Sequence, residues 1–480
     1  MMNNTGERTG DGVRGSMEEE GLHRGLQMRH VQLIALGGII GSCYFLGTGY
    51  TVAEIGPGVI FAYMLGGLIV YLVMLCLGEL AAAIPISGSF VTYAVDFISP
   101  AWACGLGWSY WISWVAYVPS EIIAGGIIMN NFVPGVDAVW WALLFGVMIT
   151  LINISSVRAF GEMEFWLTII KISAIIGFCV LAVLILAGII EPGNRLTGIK
   201  LIRENGGVFP KGTGVIFLTM VMTLVNFQGS EIIGLSAGET KNPDKAIPLV
   251  IRNVTVRIIL LYVIPVCLLV LILPWQNAGL EESVFSLALK NYGLGWAGAV
   301  FSFVVLTAAV SCANSGMYAT VRTLYALSRE GMAPAVFSQV NRYHVPGNAT
   351  YFSIACCWVV IIYYFLFADS ILYTYLLAIA GFMGEVCWIS ICWSQIKFRK
   401  KLREAGYQAE DLKFAVPFFP YLSYFAIGIQ IICLMVVIFN QEMRTSLYFG
   451  LPAFIVPALI YRIWPRRGRP RLVPERKEKA

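Results

Sequence analysis

Long apolar stretches separated by short polar connectors dominate the chain. Runs such as 59–78 (VIFAYMLGGLIVYLVMLCLG) and 172–190 (ISAIIGFCVLAVLILAGII) exceed the roughly 18 apolar residues that mark a helix crossing a bilayer. The pattern predicts twelve such spans, at 31–53, 58–83, 102–131, 138–156, 163–189, 213–237, 250–275, 295–325, 348–368, 371–393, 418–440 and 445–464. The expected fold is therefore all-α and polytopic, and an even number of spans puts both termini on one side of the membrane.

Composition supports this. Of 480 residues, 58% are hydrophobic and only 13% charged, against roughly 25% charged in a soluble domain. Lys and Arg set the orientation, because inner loops carry an excess of them. With both termini cytoplasmic, 26 of the 33 fall in inner segments or the inner ends of the spans that flank them, six in outer loops, and the last is Lys171 of span 5. The basic runs 397–403 (KFRKKLR) and 465–471 (PRRGRPR) then read as orientation signals and contacts with anionic lipid, not as nucleic-acid sites. Residues 1–30 are polar and mixed in charge, unlike a cleavable signal peptide, and read as a cytoplasmic tail. Residues 465–480 read as a second, basic one. All eleven cysteines lie in spans without C-x-x-C spacing, and His23, His30 and His344 lie outside them. That argues against disulfides, zinc and haem, so no metal or cofactor is expected.

Two stretches do not suit an unbroken helix. Residues 37–49, GGIIGSCYFLGTG, place five glycines in one of the most apolar parts of the chain, although each costs a helix interior about 0.5–1 kcal/mol relative to alanine. Close packing by small residues explains the Gly37/Gly41 pair but not the cluster as a whole. The alternative is a helix broken at mid-membrane, whose freed N–H groups face an anion. Residues 226–234, NFQGSEIIG, form a second polar interruption. Paired interruptions at corresponding positions of two repeats point to a midplane substrate site in transporters.

These residues resemble the amino acid permeases of the amino acid/polyamine/organocation superfamily. GGIIGSCYFLGTG is similar to their first-span signature, FQGSEIIGLSAGETKNPDKAIP (227–248) to their sixth span and following loop, EMEFWLTIIKISAII (162–176) to their fifth, and YALSREGMAP (325–334) to the loop after their eighth. The resemblance covers residues 20–465. It implies the leucine-transporter-type fold: a first five-helix repeat at 31–189, an inverted second repeat at 213–393, discontinuous helices 1 and 6, and two further helices at 418–464. It also implies that a substrate α-carboxylate meets N–H groups around Gly41, Ser42 and Cys43, with Ile40 at the break. The α-ammonium would meet carbonyls of Ile39 and of span 6 near Val225 and Gln228, with Phe227 and Ser230 beside them. Where the family commonly has G-T-G-L-F, this chain has Gly41-Ser42-Cys43-Tyr44-Phe45, which narrows the space.

Ionisable residues inside spans are functional candidates, because burying each costs roughly 2.5–3.5 kcal/mol even on lenient scales. Lys171 lies eight residues into span 5, about 12 Å deep at 1.5 Å per residue. It either snorkels toward the cytoplasm or, as the resemblance implies, places its ammonium where relatives bind sodium, so that a proton replaces the ion. Glu231 is implied in proton coupling or gating. Glu239 either shares that role or holds the inner half of helix 6. Glu121 follows Pro119 in span 3, in a position where the branch carrying γ-aminobutyrate also has glutamate. Glu385 either reads a cationic substrate, pairs with another buried group or is protonated and inert, while Glu79 reads as structural. Ser311 and Asn314 bracket a polar turn in span 8, where Ser311 either supports the Lys171 site or packs, and Phe227 and Trp114 are candidate aromatic gates.

The expectation that follows is a proton-coupled amino acid importer of the cell membrane, with an amino acid, protons and lipids as partners and its oligomeric state open. A sodium symporter or an exchanger of the same fold is the alternative, and a non-transporting nutrient sensor a more distant one. The chain contains no Walker A or HExxH motif, so an enzyme is not expected.

Overall fold

The computed structural model describes residues 38–86, 88–154, 157–190, 195–237, 243–341, 345–367, 371–440 and 443–463, and among them contains helices and no strand. In chain order the helices are α1 (Thr48–Ile55), α2 (Val59–Ala83), α3 (Ser89–Phe97), α4 (Pro100–Phe132), α5 (Ala138–Ile154) and α6 (Val157–Leu186). There follow α7 (Gly198–Glu204), three short pieces α8 (Val215–Leu218), α9 (Met220–Val225) and α10 (Ile232–Leu235), then α11 (Pro243–Val270) and α12 (Val284–Asn291). The chain continues with α13 (Gly295–Arg329), α14 (Gly347–Phe367), α15 (Leu372–Glu404), α16 (Tyr421–Val436) and α17 (Arg444–Ile463).

Among the described residues, eight helical runs are long and apolar enough to cross a membrane. One of them, Cys43–Ala83, joins α1 to α2 through a 3-10 turn at Gly56–Gly58, where Gly56 takes φ +77°. Local sequence sets the ends of the others. Ser99 caps α4, accepting from the Trp102 N–H at 3.2 Å, with Pro100 in the first turn where its missing N–H costs nothing. The expected span 371–393 extends as α15 to Glu404, so the basic run 397–403 is helical and not a loop. Nothing stops that helix until Gly406, whose φ of +91° closes it with Gly406 N–H to Arg403 O and Tyr407 N–H to Leu402 O at 3.0 and 3.1 Å. Similarly, α6 begins at Val157 and not at 163, which puts Glu164 two turns inside the helix.

The centre is formed by the most enclosed helices. In their most apolar windows 83% of α15 and 78% of α4 is buried, against 28% of the Glu164–Leu186 stretch of α6 and 11% of α17. Along their lengths α4 packs on α13 and α2 on α11. The outer helices turn Trp140, Trp166, Val359 and Leu459 outward, an arrangement that hydrocarbon favours and water does not. Toward one end Glu79 of α2 is buried and receives Arg399 Nε and Nη2 at 2.6 and 2.9 Å, Gln395 Nε2 at 2.9 Å and the Val416 N–H at 2.6 Å. Four donors saturate this carboxylate, which fastens α2, α15 and the segment before α16 together.

Candidate functional site

Both interruptions are present. The first described helical turn gives way at Ile40 and Gly41, and the chain resumes as a π-turn, Cys43–Gly47, leading into α1. Gly41 N–H reaches only two residues back, to Ile39 O at 3.1 Å, so the helical ladder is severed there. π-turns inside helices often mark functional sites. In the second segment α9 ends at Val225 and α10 begins at Ile232, with turns between them. Gly229 sits at φ +103°, and a Cβ on it would lie 2.6 Å from Gly38 O. Only glycine allows that backbone and that approach. The two breaks therefore touch, and their glycines are the reason they can.

The freed backbone groups are taken up by the protein's own side chains. Ser42 N–H, one of the donors expected to face a substrate carboxylate, donates to Glu121 Oε2 at 2.8 Å. The other oxygen of Glu121 has no hydrogen-bond partner among the described residues and points at Gly41, leaving no space there for a side chain. On the opposite side, the Tyr262 hydroxyl of α11 lies 3.0 Å from Ile39 O and 2.8 Å from Asn226 O. One hydroxyl thus bridges a carbonyl from each break. Tyr44 stacks on Tyr262 with ring centres 4.1 Å apart. The carbonyl of Val225 is also taken, by Gln228 N–H at 3.1 Å. So Ile39, Ser42 and Val225 present groups already bonded internally, where the sequence led us to expect groups open to a ligand.

Lys171 does not snorkel. Its Nζ donates to Ile40 O at 3.0 Å and to Ser311 Oγ at 2.8 Å, and the side chain is fully buried. Ser311 in turn bonds Glu164, a buried carboxylate that the sequence reading did not single out. A lysine from α6, a serine from α13 and the break carbonyl of Ile40 thus form one cluster. Cys312 completes the seam between α13 and the first break, its thiol donating to Gly38 O at 3.1 Å.

Glu231 caps the second break. Its carboxylate accepts from Gly229 N–H at 3.1 and 3.2 Å, from the Tyr110 hydroxyl at 2.7 Å and from Trp388 Nε1 at 3.0 Å. Gln228 Nε2 donates to Ser113 Oγ at 2.6 Å, and Ser230 Oγ bonds back to Phe227 O at 3.0 Å. Phe227 packs its ring on Tyr262 and Tyr63, at 4.9 and 6.0 Å. Trp114 is buried between Tyr110 and Tyr117. Asn314 turns away from the breaks and accepts from Asn153 Nδ2 of α5 at 3.0 Å. Cys43 opens the π-turn and is buried. Glu385 is buried on α15, next to Gly384, against which Gln228 packs. Glu239 lies outside the described residues. Asn226 and Tyr262 were absent from the candidates, although Asn226 begins the NFQGSE interruption.

Broken helices crossing inside a bundle of apolar ones define a polytopic membrane protein built around its breaks. The chain belongs to the amino acid permease family, which matches residues 30–473. It is 37% identical over 445 residues to the amino-acid permease RocE of Bacillus subtilis (strain 168), covering 92% of this chain and 95% of that one. It is 38% identical over 443 residues to a putative histidine permease of the same organism, covering 92% and 93%. To the lysine-specific permease LysP of Escherichia coli (strain K12) it is 34% identical over 466 residues, covering 93% and 94%. These are permeases, transporters and not enzymes, and the family implies a small amino acid substrate and a multi-pass place in a membrane.

Proposed function

We propose that this permease imports an amino acid across the cell membrane by alternating access, with uptake coupled to protons. The observation that carries the reading is the Glu121 carboxylate on the Ser42 N–H. An internal carboxylate holds the place that a substrate's carboxylate would take at the positive end of a half-helix. Two ionised carboxylates do not share one buried donor, because like charges at that distance force one to take up a proton. The incoming carboxylate therefore displaces Glu121, and Glu121 leaves the donor as the neutral acid. A proton enters with each substrate. The Tyr262 hydroxyl plays the matching part for the substrate ammonium, yielding Ile39 O and Asn226 O to it. Lys171, tied to Ile40 O, gives the first break a fixed positive charge in place of a sodium ion. Glu231, together with Glu239, transmits the state of the second break.

In this reading the twelve spans form two inverted five-helix repeats, 31–189 and 213–393, with 418–464 added, and both termini are cytoplasmic. Relatives named for histidine and lysine put basic amino acids first among substrates to try. The test is a panel of labelled amino acids in proteoliposomes with an imposed proton or sodium gradient. Accumulation that follows the proton gradient supports the proposal. Accumulation that follows sodium and survives collapse of the pH gradient, or release only in exchange for external amino acid, overturns the coupling.

A further inference from the structure

Glu385 is the one carboxyl group among the described residues that is buried with no partner on either oxygen. Glu79 and Glu231 are saturated with donors, and Glu121 and Glu164 each hold one. The bond from Ser423 Oγ to Gln395 Oε1, 2.9 Å, fixes how α16 runs against α15. Ten residues back along α15 is Glu385 and ten forward along α16 is Cys433, each about 15 Å from that bond. Cys433 is the titratable group on α16 within electrostatic reach of Glu385. The other groups near this part of α15 face elsewhere: Cys392 toward Cys76 of α2, and Trp388 toward Glu231 with Tyr110 of α4 beyond it. On the α17 side, Phe382 packs against Gly450. No lysine, arginine or histidine among the described residues acts on Glu385.

An ionised carboxylate in such a place would lack both a countercharge and a hydrogen-bond donor, the least favourable state for a buried charge. We propose that Glu385 is a proton-binding site in the scaffold, separate from the substrate breaks, carrying its proton as a neutral acid in this conformation. Release of the proton to water requires the packing of α16 and α17 on this part of α15 to open. The same helix carries Gly384 against Gln228 and Trp388 on Glu231, so that movement also disturbs the second break. The inference does not depend on which substrate or coupling ion is used.

Infrared difference spectra of the purified protein in lipid nanodiscs, without substrate, test it. Subtracting the spectrum of Glu385→Gln from that of the unaltered protein should leave the C=O stretch of a protonated carboxylic acid at neutral pH. A featureless difference, with both proteins melting at the same temperature, overturns the proposal. If Glu385→Gln does not fold, the unaltered protein is treated with a membrane-soluble carbodiimide, which attacks protonated carboxyls. An adduct on Glu385 by peptide mass spectrometry supports the site, and its absence there counts against it.

Discussion

Glu121→Gln isolates the part that charge plays at the first break. The amide keeps the size of the side chain and an oxygen for the Ser42 N–H, now accepting as a neutral group. A hydrogen bond to a charged group contributes about 1.5–3 kcal/mol and a neutral one about 0.5–1.5, so the internal competitor weakens by about 1–1.5 kcal/mol. At 1.4 kcal/mol per tenfold, substrate should bind about 5–12-fold more tightly to the variant. Binding to the unaltered protein should strengthen as pH falls, because protonation frees the donor, whereas the variant should show no such dependence. It should also lose gradient-driven accumulation, since glutamine carries no titrating proton. Scintillation-proximity binding across a pH series, run beside uptake in proteoliposomes, reads both effects. Tenfold weaker binding by a variant that still melts like the unaltered protein would refute the reasoning, because Glu121 would then be a direct contact of the substrate and not its stand-in.

Lys171→Ala should abolish uptake driven by a pH gradient more completely than it abolishes binding, as the paired flux and binding assays would show. Gly229→Ala forces a side chain into φ +103° and against Gly38 O, strain of about 1–3 kcal/mol. It should lower the melting temperature and stop transport even though no side-chain contact is lost. Glu79→Ala leaves Arg399 buried without its countercharge and should cost about 3–5 kcal/mol. Thermal melts should show part of that loss recovered when Arg399→Leu is added.

The breaks were legible because glycine and polar residues are conspicuous in an apolar run: GGIIG and NFQGSE mark the two sites by composition alone. What fills them was not. Tyr262 sits in an ordinary apolar stretch of α11, 223 residues from one carbonyl it bridges and 36 from the other. A tyrosine there is no different, in sequence, from the other aromatic residues that merely pack. Glu121 stood out as a charge in a span, but its partner is a backbone N–H 79 residues away, which no local spacing reveals. Glu164 carried a signal that went unused. It lies seven residues before Lys171 and so on the same helix face, and the helix that carries both begins at Val157, two turns before it. Glu385 illustrates the opposite limit: its apolar surroundings were plain in the sequence, whereas which part of α16 lies at its level depends on the register set by Ser423 and Gln395.

In this mechanism the backbone groups freed at the two breaks grip the charged ends of an amino acid once the protein's own side chains let go. A cryo-electron microscopy structure with a transported amino acid bound measures this directly. The expected result is the substrate carboxylate on the Ser42 N–H, Glu121 turned off it, and the ammonium at Ile39 O and Asn226 O in place of the Tyr262 hydroxyl. A bound amino acid lodged elsewhere, with the Glu121–Ser42 and Tyr262 bonds intact, would contradict it.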